Sequence, residues 1–121
     1  MDKEINYQEF IATTVYDIEK MYNELLERAS LVKDEHIRRL IFETLKDQEV
    51  RSKFSFFPAA KSIHHAYIGG LLEHTLSVCN IMVLLAKHYS FLNLDFLLFG
   101  AIFHDLGKIW ELTIEPEFKY T

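Results

Sequence analysis

The chain has 121 residues, half of them hydrophobic, and 13 Lys and Arg against 18 Asp and Glu give a formal net charge of −5. That length suits one domain with a real core, and four Gly and two Pro are too few for a turn-rich β protein or a disordered chain. An acidic surface repels nucleic acid in general, so any RNA or DNA contact must be local or come from another module.

The single cysteine, Cys79, excludes a disulfide or a thiolate zinc cluster within one chain. The N-terminus opens polar and acidic and lacks the pattern of a signal peptide. The longest uninterrupted apolar run, residues 96–103, is too short to span a bilayer. These features predict a soluble, cytoplasmic protein with no membrane partner.

Apolar residues at helical spacing predict three helices in the first half of the chain. The first is long and amphipathic and extends from Tyr7 to Ala29. The second is capped by Asp34. Its inner face is formed by Ile37, Leu40, Ile41 and Leu45. The third is shorter, carries Val50, Phe54 and Phe57, and ends before Pro58 because the residue preceding a proline is pushed out of the α region.

The second half of the chain also reads as helical. A helix opens at Pro58 and continues through Ile68, and Gly69-Gly70 permits a bend or close packing. Another long helix follows from Leu71 to about His88. Asn93 can cap a last helix from Leu94 to about Leu106, which Gly107 stops. We expect residues 113–121 to form a loop or a short strand. The predicted fold class is therefore all-α.

The residues that carry chemistry cluster in this second half. Five of the six histidines fall between residues 64 and 104, and four of these are candidate site residues, namely His64, His65, His74 and His104. His104 is followed directly by Asp105, and imidazole with a hard carboxylate suits Mn, Fe, Zn or a Mg-like ion. Two antiparallel helices can bring His74 and the His104-Asp105 pair together in a bundle core, which is a known way of building metal sites.

Each of these residues also has a plain structural interpretation. His74 alone fits a satisfied core histidine. His104-Asp105 alone fits a helix C-terminus that interacts with the helix dipole, although a carboxylate there needs a compensating cation such as a metal or Lys108. Lys108 itself fits a solvated charge just past a helix end. The combination is more specific than any one member.

The amino-acid sequences of two segments resemble those of a known family. Residues 58–75 and residues 104–109, which include His74 and His104-Asp105-Leu106-Gly107-Lys108, resemble the HD superfamily of metal-dependent phosphohydrolases, and most of all its YhaM-type 3′→5′ exoribonuclease branch. The resemblance is strong over residues 54–114 and weaker over residues 1–53. It predicts an HD-type helical bundle in which N-terminal helices, residues 1–53, pack on a metal-binding core, residues 54–121, as one compact unit.

The resemblance also implies roles for individual residues. His74, His104 and Asp105 would be the ligands of a divalent metal, with Mn, Mg, Fe, Ni and Zn all open. Asp105, Lys108 and His65 would be the catalytic residues. Lys108, His65 and the adjacent His64 would contact the substrate phosphate. The implied reaction is hydrolysis of a phosphodiester or phosphomonoester, in a nucleotide or an RNA 3′ end, by metal-activated water.

The chain departs from the family pattern in two respects. The family completes its site with a further aspartate on a later helix, which Glu111, Glu115 and Glu117 do not match, and residues 1–53 do not read as the oligonucleotide-binding barrel of the YhaM branch. We therefore expect an HD core cut off at its C-terminal end, with exposed apolar surface that favours a homo-oligomer. Two alternatives stay open: an HD nucleotide phosphohydrolase with no RNA role, and a weak or inactive metal- or nucleotide-binding fragment that acts as an interaction module.

Overall fold

A computed structural model describes residue 14, residues 16–58 and residues 68–119, with side chains as far as residue 109. In this part of the chain five helices follow one another and no extended strand occurs, so the all-α prediction is confirmed. The helices are α1 (Ile18–Ala29), α2 (Glu35–Lys46), α3 (Gln48–Phe56), α4 (Gly70–His88) and α5 (Leu94–Lys119).

The first helix is shorter than its apolar spacing predicts. Asp17 is the N-cap of α1, and its carboxylate accepts a hydrogen bond from the Lys20 N–H at 3.1 Å. Thr14 is not helical, and its N–H donates instead to the Ile68 carbonyl at 2.8 Å. The prediction of a continuous helix from Tyr7 to Ala29 is therefore wrong at Thr14, Tyr16 and Asp17, which are not helical. The part of that prediction before Thr14 lies outside the described residues.

The second helix begins as predicted, since the Asp34 carboxylate accepts from the His36 and Ile37 N–H groups at 2.9 and 3.0 Å. On its inner face Ile41 and Leu45 are fully buried, but Leu40 is 48% exposed and is not part of that face. The third helix, α3, ends at Phe56 just ahead of Pro58, as expected.

The start of α4 depends on a left-handed glycine. Gly69 has a φ of 86°, which L side chains rarely adopt, and a Cβ there would lie 2.7 Å from Thr14 Cγ2. The predicted bend at Gly69 is confirmed. Nearby, the Phe57 carbonyl accepts from the Leu71 N–H at 3.0 Å, so the end of α3 and the start of α4 are fastened together. The helix predicted from Pro58 to Ile68 falls mostly on residues 59–67, which lie outside the described part of the chain.

The last helix starts as predicted but ends later. Asn93 accepts hydrogen bonds from the Asp95 and Phe96 N–H groups at 2.9 and 3.3 Å. The prediction that Gly107 stops the helix is wrong, and so is a loop or strand over residues 113–119, because α5 continues to Lys119. Gly107 does not adopt the left-handed conformation of a C-cap glycine. Inside a helix a glycine costs only about 1 kcal/mol, which the packing of α5 outweighs.

All five helices contribute to one hydrophobic core. Its largest fully buried side chains include Tyr22 and Phe54, whose rings meet edge to face at 6.2 Å. Because α1 and α3 both pack against α4, the first helices and the last two share one core. The boundary between residues 53 and 54 stays a prediction.

Part of the surface of α4 and α5 is apolar and open to solvent. Ile81 is 49% exposed, and Leu84 and Phe96 are each 65% exposed. Among the described residues, α4 is also long and apolar enough, by length and composition alone, to cross a bilayer, a criterion that core helices of soluble proteins meet as well. Its packing against α1, α3 and α5 gives it a place in the core of this bundle.

Candidate active site

A carboxylate is buried where α4 and α5 meet. Asp105 is 2% exposed, and the hydroxyl of the fully buried Thr75 donates to its Oδ2 atom at 2.8 Å. Asp105 follows His104 on α5, and Thr75 follows His74 on α4. The hydrogen bond therefore joins the two helices beside both predicted histidine ligands, which is the antiparallel arrangement that the sequence suggested.

The helical repeat explains why this carboxylate is inside. On α5 the residues at i, i+4, i+8 and i+11 from Leu98 are buried, and they are Leu98, Ile102, Leu106 and Ile109. Asp105 lies within this apolar stripe. A carboxylate in such a place costs several kcal/mol unless it is paired and hydrogen-bonded. The sequence therefore places in the core one carboxylate whose burial has a free-energy cost.

A cation accompanies the carboxylate. The Lys108 ammonium lies 3.7 Å from the other oxygen, Oδ1, one helical turn further along α5. The Lys108 side chain is 31% exposed, so it reaches from solvent towards the buried group. Lys108 is thus paired and is more than a solvated charge. Because α5 continues to Lys119, Asp105 lies in the helix interior, and its interpretation as a residue at the helix C-terminus is wrong.

The two described histidines have different environments. His74 is half-buried on α4, whereas His104 is exposed on α5. His64 and His65 lie outside the described residues, so their predicted phosphate contacts stay predictions.

The chemistry of the predicted ligands, two imidazoles and one carboxylate, fits a divalent metal, and the Thr75–Asp105 contact holds the helices that carry them side by side. Among the described residues, however, no three His, Cys, Asp or Glu side chains are grouped so that they hold a metal ion. The ligand set His74, His104 and Asp105 therefore stays a prediction, and its Asp105 member is the one that the fold fixes in place.

The thiol of Cys79 lies one turn after Thr75 on the same inner face of α4 and is fully buried. Burial and, to a smaller extent, the negative charge of Asp105 raise the pKa of this thiol against the opposing effect of Arg28, and the net result is a pKa of about 12. At neutral pH the thiol stays protonated, so it is neither a thiolate ligand nor a nucleophile.

The chain before α1 also reaches this region. The Thr14 hydroxyl donates to Glu73 Oε1 at 2.7 Å, next to His74. Neither Thr14 nor Thr75 was predicted as part of the site. A signal existed only for Thr75, which is a hydroxyl residue within the apolar inner face of α4.

Residues 71–119 match the family model of the HD domain. This segment contains His74, Asp105 and Lys108, and the predicted resemblance to the HD superfamily is confirmed.

Curated relatives share more of the chain. The chain is 33% identical over 117 residues to the 3′-5′ exoribonuclease YhaM of Geobacillus sp. (strain WCH70). The aligned stretch covers 97% of this chain and 36% of that protein. The YhaM of Bacillus subtilis (strain 168) is 31% identical over 97% of this chain and 37% of its own length. The chain thus spans little more than a third of these relatives. No solved structure matches the chain.

Proposed function

We propose that this chain is a metal-dependent phosphohydrolase of the HD type that hydrolyses a phosphodiester or phosphomonoester at an RNA 3′ end or in a nucleotide. The observation that carries the proposal is the buried Asp105 carboxylate, held by Thr75 on one side and Lys108 on the other. A buried ion pair contributes little net stability after its desolvation cost, so a role in chemistry explains this carboxylate better.

In this proposal His74, His104 and Asp105 would hold a divalent ion. Bound there, such an ion would lower the pKa of a coordinated water towards neutrality. Lys108 binds a phosphoryl oxygen of the substrate and stabilises the negative charge that develops there, since its ammonium lies at the partly exposed end of the Asp105 pair. The Asp105 carboxylate orients the attacking water. His65 contacts the phosphate or donates a proton to the leaving oxygen, and His64 assists in binding.

RNA is the proposed substrate because the relatives are exoribonucleases by name. With a net charge of −5, the chain cannot attract RNA through its overall charge. Contacts of this chain to RNA must therefore be local, unless another module supplies them, and the Lys108 ammonium lies 3.7 Å from Asp105 in the candidate site. The metal identity among Mn, Mg, Fe, Ni and Zn is open, and Mn²⁺ is the ion we would test first.

The test combines metal content with hydrolysis. We expect the purified protein to bind Mn²⁺ and to hydrolyse bis-p-nitrophenyl phosphate and a short RNA that is labelled at its 5′ end. His104→Ala and Asp105→Ala should each lower turnover by about 100-fold or more, since loss of a residue that only orients a metal ligand already costs roughly 10- to 100-fold. His36→Ala is the matched control, because His36 is exposed at the start of α2. If the protein binds no metal and shows no turnover that depends on His104, the alternative of an inactive binding module is favoured.

We also propose that the protein is cytoplasmic and self-associates through the exposed apolar side of α4. The support is that Ile81 and Leu84 lie within one turn of each other and are both open to solvent. Sedimentation velocity at micromolar concentration should show a species larger than a monomer, and Leu84→Lys should convert it to a monomer. A stable wild-type monomer would contradict self-association.

A further inference from the structure

The two oxygens of the Asp105 carboxylate have different surroundings. Oδ2 accepts from the hydroxyl of Thr75, a residue with no exposed surface. Oδ1 lies 3.7 Å from the Lys108 ammonium, which is partly open to solvent. One oxygen is thus bonded to a fully buried hydroxyl, and the other is paired with a side chain that is partly open to solvent.

Thr75 is suited to hold an oxygen in one place. A β-branched side chain in a helix has few allowed χ1 rotamers, so the direction of its hydroxyl is restricted. Its helix is fixed in turn, because Leu71, Leu72 and Cys79 on the same inner face are fully buried. A hydrogen bond to a carboxylate is also stronger than one between neutral groups. A half-turn of the carboxylate only exchanges its two equivalent oxygens, and any smaller rotation would leave the Thr75 hydroxyl without this bond inside the core, which is costly.

We infer that Thr75 is a positioning residue for the candidate site: it fixes Oδ2 of Asp105 in the core, so that Oδ1 is the oxygen that the carboxylate offers to a cation, whether Lys108 or a divalent ion. This inference rests on the proposed function for its divalent-ion part. The fixed carboxylate itself does not depend on the reaction.

The test compares pairs of variants that differ in the hydroxyl. Thr75→Val keeps the shape and removes the hydroxyl, and Thr75→Ser keeps the hydroxyl and removes the methyl. Thr75→Ala, compared with Thr75→Ser, supplies a second pair in case the valine variant does not fold. Thr44→Val is the control, since the Thr44 hydroxyl donates at 2.8 Å to the Leu40 carbonyl on α2, away from the site.

The first readout is Mn²⁺ binding measured by calorimetry. Removing a residue that orients a metal ligand typically weakens binding by about 10- to 100-fold, and we expect a loss of that size in Thr75→Val and Thr75→Ala. Thr75→Ser and Thr44→Val should bind nearly as wild type does. Wild-type affinity in Thr75→Val would overturn the inference. An equal loss in Thr75→Ser and Thr75→Ala would also overturn it, because packing would then be the cause.

The second readout needs no metal. In protein labelled with ¹³C at aspartate carboxyl carbons, the Asp105 resonance should move in Thr75→Val and stay in place in Thr75→Ser and Thr44→Val. An unmoved resonance in Thr75→Val overturns the inference. If wild type binds no Mn²⁺ but this resonance still moves, the proposed function fails while the positioning of Asp105 by Thr75 stands, so the two failures are distinguishable.

Discussion

Two buried side-chain hydrogen bonds, one in each half of the bundle, differ in charge. In the first half the Tyr22 hydroxyl donates to the Leu45 carbonyl at 2.7 Å, and both groups are neutral. In the second half the Thr75 hydroxyl donates to the Asp105 carboxylate at 2.8 Å. The neutral bond satisfies the end of a helix at little cost. The charged one requires an ion to be desolvated, so we expect the bond in the first half to contribute more to stability than the bond in the second half.

The largest expected effect on stability belongs to the first half. Phe54→Ala removes a fully buried ring that packs edge to face against Tyr22, and the loss of transfer free energy together with the cavity should lower the free energy of unfolding by about 3–5 kcal/mol. Urea unfolding followed by circular dichroism measures this. Leu40→Ala, at an exposed site, serves as the control and should change the value by less than about 0.5 kcal/mol. A loss in Phe54→Ala as small as in the control would mean that this part of the core is not well packed.

The next prediction concerns the sign of an effect. Asp105→Asn keeps the side-chain shape and removes the buried charge, so the free energy of unfolding should stay unchanged or rise by about 1 kcal/mol, even though the ion pair with Lys108 is lost. Asp95→Asn is the matched control, because the Asp95 carboxylate accepts from the Lys33 and Asp34 N–H groups at 2.8 and 2.9 Å near the surface.

That control should lose about 1 kcal/mol, since a charge-assisted acceptor is weakened without any gain from removing a buried charge. Chemical denaturation of both variants beside wild type gives the comparison. Marked destabilisation of Asp105→Asn, larger than that of Asp95→Asn, would show that the Asp105 carboxylate contributes to stability. The contrast between the halves would then be lost.

Alkaline pH should reduce the contribution of Tyr22, in the first half, to stability. Burial raises the pKa of Tyr22 well above its ordinary value of 10, while Arg51 acts in the opposite direction. The folded state therefore favours the protonated phenol, so the contribution is fully present below pH 10 and is lost as the pH rises further. The raised pKa of Cys79 adds a similar loss that begins lower, near pH 9.

Tyr22→Phe removes the phenol that titrates. At neutral pH it should cost about 1 kcal/mol, because the Leu45 carbonyl loses its donor. Above pH 10 its stability should fall less steeply than that of wild type. Thermal melts from pH 7 to 11 measure both features. If the stability of the variant falls with pH as steeply as that of wild type, Tyr22 does not titrate with a raised pKa.

The smallest expected effect is at a cap. Asp34→Ala removes the acceptor of the His36 and Ile37 N–H groups and should lower the free energy of unfolding by about 1 kcal/mol. Because the site is in the other half of the bundle, Mn²⁺ binding should not change. A change in metal affinity in this variant would show that the two halves are energetically coupled.

Local signals in the sequence predicted much of this fold. Asp34 and Asn93 cap their helices as expected, since each side chain and the N–H groups that donate to it are only two or three residues apart. Gly69 was predicted at a bend for a similar reason. The prediction that Gly107 ends α5 was wrong. A C-cap glycine adopts the left-handed conformation, Gly107 does not, and residue type alone does not show which conformation a glycine adopts.

Contacts between residues far apart in the chain could not be predicted from the sequence. The Thr75–Asp105 bond joins positions 30 residues apart, and the Thr14–Glu73 bond joins positions 59 apart. Asp105 was identified from its neighbour His104, but its partner depends on how α4 and α5 pack. Periodicity placed Thr75 on the inner face of α4 without indicating which side chain it meets.

The single thiol makes the α4–α5 interface measurable. Cys79 is the only cysteine of the chain and has no exposed surface, so an alkylating reagent reaches it only when the helices separate. The rate of modification by a small iodoacetamide-type reagent would thus report how often the carboxylate side of the bundle opens in the native protein. A ligand bound across the two helices would slow that rate, and no label need be introduced to observe it.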